Sequence, residues 1–188
     1  MPIVNSEIGK DTKIHQPDLV NIYGCKIGER CSIAAFIEIG ADVVIGNKNV
    51  TIYDSVTIIG NVVIEDHVWV GPFCLLDGGG GLYIGEFTDI STGCQILTHD
   101  TVKCALSGGK QPYEYAPVYI GKCCFIGTHT VILKGVTLGD HCLVASNSLV
   151  NKSFPSYSIV GGMPATQIGR VIILKDGRID FKYFRKRV

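Results

Sequence analysis

Residues 125–150 read FIGTHTVILKGVTLGDHCLVASNSLV. Within them an aliphatic side chain returns at Ile126, Ile132, Leu138, Val144 and Val150, six residues apart each time. A helix face repeats at about 3.6 residues and a half-buried strand at about 2, so this period belongs to neither. It fits a parallel β-helix whose coil has three short flat sides. Outward from this stretch, the frame places aliphatics at positions 8, 14, 20, 27, 33, 39, 45, 52, 58, 64, 70, 76, 84, 90, 96 and 120. It slips by one residue near 21–26 and 46–51, and two extra residues fall in the glycine run 78–81. Glycine often follows the aliphatic, as in Ile27-Gly28 and Leu138-Gly139, where a tight corner backbone is expected. The fourth residue after the aliphatic is small or branched, as at Cys31, Val56, Cys74, Thr88, Cys94, Cys124, Thr130, Cys142 and Ser148. A second inward position in a narrow prism requires that. The 21 aliphatics of the frame make seven coils. At a strand spacing of about 4.7–4.9 Å they predict a prism about 34 Å tall.

Composition agrees. The 188 residues include 23 glycines, and isoleucine plus valine number 43 against 18 for leucine plus alanine. Branched side chains suit a pleated surface, and leucine and alanine suit helices. Seventeen basic and 17 acidic residues cancel, so no broad basic field points to nucleic acid. No apolar run is long enough for a membrane span. The start, MPIVNSEIGKDTK, lacks the basic-then-apolar order of a signal peptide, so a cytoplasmic chain is expected. Disulfides are rare in that setting. Five of the eight cysteines occupy the second inward position and read as small buried hydrophobes. A zinc site is the alternative. It is disfavoured because the one adjacent pair, Cys123-Cys124, has neighbours on opposite faces of a strand. No metal is expected.

The frame fails between residues 97 and 119, and the segment 99–117, HDTVKCALSGGKQPYEYAP, reads as an excursion loop. From Ile96 to Ile120 is the length of four hexads, so the prism can restart in phase. Long ordered loops are usually functional. His99 opens the loop. His67, His129 and His141 share its place three residues after an aliphatic, and His67 and His141 read as exposed polar residues. Counting hexads in threes sets His99 and Asp77 on the same side of successive coils, where both can line one cleft. A histidine near neutral pKa can take a proton from a hydroxyl or amine attacking a thioester. A carboxylate beside it can hold a substrate hydroxyl or amine, or orient the imidazole.

The order Thr98-His99, loop, Pro117-Val118-Tyr119-Ile120-Gly121, Phe125-Ile126-Gly127, Gly135-Val136-Thr137-Leu138-Gly139 and Gly162-Met163-Pro164-Ala165 resembles the maltose, galactoside and related sugar acetyltransferases. These are left-handed β-helix hexapeptide-repeat transferases, and the resemblance spans about residues 8–170. It implies an all-β fold: a left-handed parallel β-helix of hexapeptide repeats with the loop at 99–117 and a short C-terminal hairpin. It implies a transferase domain over 1–164 and a basic capping tail over 165–188. It implies His99 as catalytic base, Asp77 contacting the acceptor, and Thr128, Ser146, Asn151 and Lys152 binding coenzyme A, with Arg170 a second phosphate partner. The co-substrate is then acetyl-CoA and the assembly a homotrimer. The acceptor is a sugar, first of all a nucleotide-linked amino sugar in surface polysaccharide synthesis. A free-sugar or polysaccharide O-acetyltransferase is the alternative. Three departures stand out. The usual tryptophan is Phe125, an asparagine expected about thirty residues before the histidine is Trp69, and arginines near the closing proline are Thr166 and Ile168. A γ-type carbonic anhydrase would need a histidine where Cys104 stands, and a non-catalytic prism is the third possibility.

Overall fold

The computed structural model describes residues 3–184. Short strands, most of them two or three residues long, stack in parallel on three faces. On the first face Ile3, Ile22, Ile39, Ile58, Leu76, Ile96, Ile132 and Val150 lie in register, one per coil. On the second, Ile8, Ile27, Ile45, Ile64, Ile84, Ile120 and Leu138 do the same. On the third, Ile14, Ile33, Ile52, Val70, Ile90, Ile126, Val144 and Val160 complete the turn. These are called the Ile58, Ile64 and Val70 faces. The architecture is a three-sided parallel β-solenoid, as the six-residue period requires.

The interior is a column of branched side chains. Ile39, Ile58, Leu76, Ile96 and Ile120 are wholly buried, and so are the second inward positions Val56, Cys74, Cys94, Thr130 and Ser148. Each such aliphatic removed from water contributes about 1.5–3 kcal/mol. The interior hydroxyls bond to backbone carbonyls: Thr88 to Gly121, Ser148 to Ala145. Six cysteines are buried, including the five the frame placed inward, while Cys123 is exposed and its neighbour Cys124 buried.

Three details of the frame differ from the sequence reading. The residue on the Ile58 face near the start is Ile22, stacked on Ile39, and Val20 takes the second inward position. The cause is the 3₁₀ turn Pro17–Leu19, which lengthens that corner. The segment before Ile8 is already a rung, because Ile3–Val4 pairs with Ile22–Tyr23. The corner glycines also serve a different purpose. Gly28, Gly46, Gly85, Gly121 and Gly139 have no left-handed backbone. A Cβ on Gly28 would sit 2.2 Å from the Gly46 carbonyl oxygen, and one on Gly139 would sit 2.4 Å from the Ser156 nitrogen. They are glycine because the next coil passes against them. The left-handed turn falls two positions later on Arg30, Phe87, Cys123 and His141, and three later on Asn49, all with positive φ.

At the C-terminal end Ser158–Gly162 continues the Val70 face, then the chain reverses. Ala165–Ile173 pairs antiparallel with it, and Ile179–Tyr183 pairs with Ala165–Ile173. The expected hairpin is therefore the outer half of a three-stranded antiparallel end, and the junction at 164/165 is one of its turns. Of the basic residues expected to cap it, Lys182 lies in the last strand, and Arg185, Lys186 and Arg187 lie outside the described residues. Among those residues no helix is long and apolar enough to cross a membrane.

A candidate active site where the coil is interrupted

The coil breaks at one corner, where the chain leaves the Ile58 face. Two rungs below Ile132, the strand Leu75–Ile84 turns that corner without ending. It pairs with Thr57–Ile64 on both faces, and its register moves from Gly60↔Gly78 to Val62↔Leu82. The glycine run absorbs the two extra residues. Gly78 cannot carry a side chain, since its Cβ would lie 2.6 Å from the Asn61 carbonyl oxygen, and one on Gly80 would lie 2.5 Å from that of Thr98.

This bulge folds back on Asp77, which is 4% exposed. Oδ1 accepts the Gly79 amide at 2.9 Å. Oδ2 accepts the Thr98 amide at 3.0 Å, the Thr98 hydroxyl at 3.3 Å and the His99 Nδ1 proton at 2.6 Å. The Thr98 hydroxyl in turn accepts the Gly80 amide at 2.7 Å. Burial alone would push the Asp77 carboxyl up. The amides of Gly79 and Thr98 and the His99 ring outweigh it and hold the group below its ordinary value. An ionised carboxylate only accepts, so Nδ1 of His99 carries the proton. The lone pair is left on Nε2, on a ring whose side chain is 36% exposed. The pair therefore leaves Nε2 as the ring atom able to accept a proton.

The loop supplies a lid for the ring. His99–Asp100 pairs antiparallel with Glu114–Tyr115, setting His99 opposite Tyr115 and Asp100 opposite Glu114. The rings of His99 and Tyr115 stack, with centroids 5.5 Å apart and planes at 26°. The helix Val102–Leu106 fills part of the loop, and Cys104 lies half-buried in it. The chain re-enters at Ile120 on the Ile64 face, the side that one ordinary hexad after Ile96 would reach, so the surplus is one whole coil.

Sequence reasoning brought His99 and Asp77 together, and they touch. The resemblance implies that Asp77 contacts the acceptor, and the residues alone also allow it to orient the imidazole. In the structure the carboxylate lies beneath the ring with both oxygens engaged. Thr98 stands in the sequence only as the residue before the histidine, and its amide and hydroxyl both reach Asp77. Tyr115 carries no signal until the hairpin places it against His99.

The other candidates divide between two corners and the outer sheet. Thr128 and Ser146 follow Gly127 and Ala145 at the corner leaving the Val70 face, one coil apart, where the Asn147 amide donates to the Thr128 carbonyl at 2.8 Å. Asn151 and Lys152 are exposed just past Val150, on the corner from which the His99 loop leaves, two rungs beyond Ile96. Lys152 Nζ stands 5.7 Å from the Phe154 ring centroid. Arg170 is exposed in the antiparallel end, between Ser158 and Lys182. His67 and His141 occupy left-handed turns and stack on Phe87 and Tyr157.

Residues 117–152 match the family described as bacterial transferase hexapeptide (six repeats). The chain is 37% identical to serine acetyltransferase 2 of Arabidopsis thaliana over 115 residues, 61% of this chain and only 34% of that protein's length. It is 28% identical to galactoside O-acetyltransferase of Escherichia coli (strain K12) over 143 residues, 65% of this chain and 70% of the other. Among solved structures it resembles AntD, an N-acyltransferase from Bacillus cereus in complex with dTDP and 3-hydroxybutyryl-CoA. The TM-score is 0.63 at 25% identity, over 88% of this chain and 82% of that one.

Proposed function

We propose that this chain, a hexapeptide-repeat protein of the bacterial transferase kind, is an acetyl-CoA-dependent acetyltransferase acting on a hydroxyl or amine of a sugar, and that it works as a homotrimer. One observation carries the reading: an imidazole held by a buried carboxylate at Nδ1, with Nε2 left to accept a proton, at the mouth of a loop. The acetyltransferase and acyltransferase relatives support the reaction class. A nucleotide-linked amino sugar is the first acceptor, a choice supported by the likeness to AntD, an N-acyltransferase solved in complex with dTDP. A free-sugar or polysaccharide O-acetyltransferase is the second reading, favoured by the likeness to galactoside O-acetyltransferase.

His99 Nε2 takes the proton of the acceptor hydroxyl or amine as that group attacks the thioester carbonyl. Collapse of the tetrahedral adduct breaks the carbon–sulfur bond, and the proton passes to the departing thiolate. Asp77 fixes the tautomer and stabilises the imidazolium that forms between these steps. Coenzyme A would lie along the prism, with Asn151 and Lys152 on the corner shared with His99 and Thr128 and Ser146 on the next. Lys152 is free to pair with a phosphate as a point charge. Arg170, exposed on the antiparallel end, is kept as a second phosphate partner.

The test is thiol release from acetyl-CoA with a panel of sugars and nucleotide amino sugars. Turnover with a member of the panel is expected, and His99→Ala should lower kcat by on the order of a hundred- to ten-thousand-fold while coenzyme A still binds. Undiminished turnover in His99→Ala, or no turnover with any acceptor, defeats the reading. Light scattering in solution checks the trimer.

A further inference from the structure

We propose that Lys134 is a positioning residue for this site: it clasps the excursion loop to the prism and so holds Tyr115 against His99. The inference rests on His99 being the base. Lys134 belongs to the coil above the loop, two residues after Ile132, which stacks on Ile96. Its Nζ donates to Glu114 Oε2 at 2.9 Å and pairs with Asp100 Oδ2 at 3.1 Å. Those two carboxylates face each other across the two-residue hairpin. Each is the direct neighbour of one of the stacked rings, Asp100 of His99 and Glu114 of Tyr115. Lys103, in the loop helix, closes on the other oxygen of Glu114. Lys134 is only 24% exposed, so the clasp is set into the surface.

An isolated surface ion pair contributes little. One ammonium gripping both strands of a hairpin is different, because it fixes their position relative to the prism. Alongside it run the backbone bonds from Ala116 to Thr98 at 2.9 Å and from Gly135 to Ala116 at 3.3 Å. The charged groups around His99 are Asp77 beneath it and Asp100, Glu114, Lys103 and Lys134 at its side. Removing Lys134 leaves Glu114 with Lys103 alone and Asp100 without its ammonium, so the side chain that ties both strands to the prism is gone and the Tyr115 ring is free to leave.

The experiment uses protein labelled in histidine, with the His99 ring resonance assigned by its loss in His99→Gln. In the unaltered protein that resonance carries a ring-current shift from Tyr115, and Tyr115→Leu removes it. Lys134→Met should lose the shift, and Lys134→Arg should restore it. In Lys134→Met kcat should fall about tenfold, with KM for acetyl-CoA changed less than about twofold. If Lys134→Met does not fold, Glu114→Gln carries the same readout with one of the two grips gone. An unchanged ring shift or an unchanged kcat in the folded variant overturns the proposal. Full activity in His99→Ala sinks the base reading instead, and the ring shift still decides whether the clasp exists.

Discussion

Asp77 is a charge placed where an uncompensated one would be costly, and four donors converge on it: two amides, one hydroxyl and one imidazole. Asparagine in its place keeps the shape and breaks the pattern. The Gly79 and Thr98 amides approach different oxygens, so the amide nitrogen of the new side chain must face a donor. The imidazole also loses the acceptor that fixes its tautomer. Asp77→Asn is therefore expected to lower kcat by on the order of a thousandfold or more. It should also destabilise the fold by about 1–3 kcal/mol. Steady-state kinetics and urea unfolding measure the two effects. The pH dependence has a definite sign. A carboxyl whose folded pKa is depressed adds stability above its unfolded pKa, and that stability is lost as pH falls through the folded value. The stability gap between the protein and Asp77→Asn should narrow on acidification below pH of about 4. A gap that widens there refutes this account of the buried charge.

At the level of the element, the hexad corner divides its work between two positions, and only one is visible in the sequence. The glycine after the aliphatic stands out because only glycine lets the next coil pass. The left-handed residue two places on does not, because its side chain points outward and phenylalanine, histidine, arginine or cysteine all serve. Substitutions should reverse the usual expectation. Gly28→Ala has an ordinary backbone yet should cost about 3 kcal/mol, since its Cβ meets backbone at 2.2 Å. Phe73→Gly, at φ 61°, relieves a left-handed side chain that is 66% exposed. It should stay within about 0.5 kcal/mol of the parent. Thermal or denaturant unfolding of both decides it. The loop hairpin was illegible for a related reason. Two-residue strands carry no periodic signal, and Lys134 is one outward lysine in an ordinary hexad until Asp100 and Glu114 are folded against it. Its two lysine partners hold the Glu114 carboxyl down to about 2. A depressed carboxyl loses its contribution as pH falls, so the clasp should weaken as pH drops from about 4.5 toward 2. Amide exchange in residues 99–117 should then quicken relative to the prism, after correction for the intrinsic rate.

Across the whole molecule, stability is a sum of rungs, each contacting only its neighbours. The six-residue frame made that architecture legible, and the failure of the frame pointed to the candidate site. The frame does not reveal how evenly the rungs are buried. Ile84, Ile90 and Ile96 in the middle of the prism are sealed, whereas Ile8 is 37% exposed and Ile3 and Ile14 are only partly covered. At the other end Phe154 and Ala165 close the interior, and the antiparallel strands lie over the last rung of the Val70 face. Local opening follows the burial that opposes it. Native-state hydrogen exchange on the 188-residue chain should therefore show the strands at Ile3–Val4, Glu7–Ile8 and Lys13–Ile14 exchanging first. Protection should rise through Ile22 and Ile39 to a plateau at the rungs carrying Asp77 and His99, with no matching decline toward Val160. His99 and Asp77 would then sit in the most slowly opening part of the solenoid, which is what holding a 2.6 Å bond between two coils requires. Equal protection along the prism, or earliest opening at the interrupted coil, would contradict this reading of where the rigidity of the site comes from.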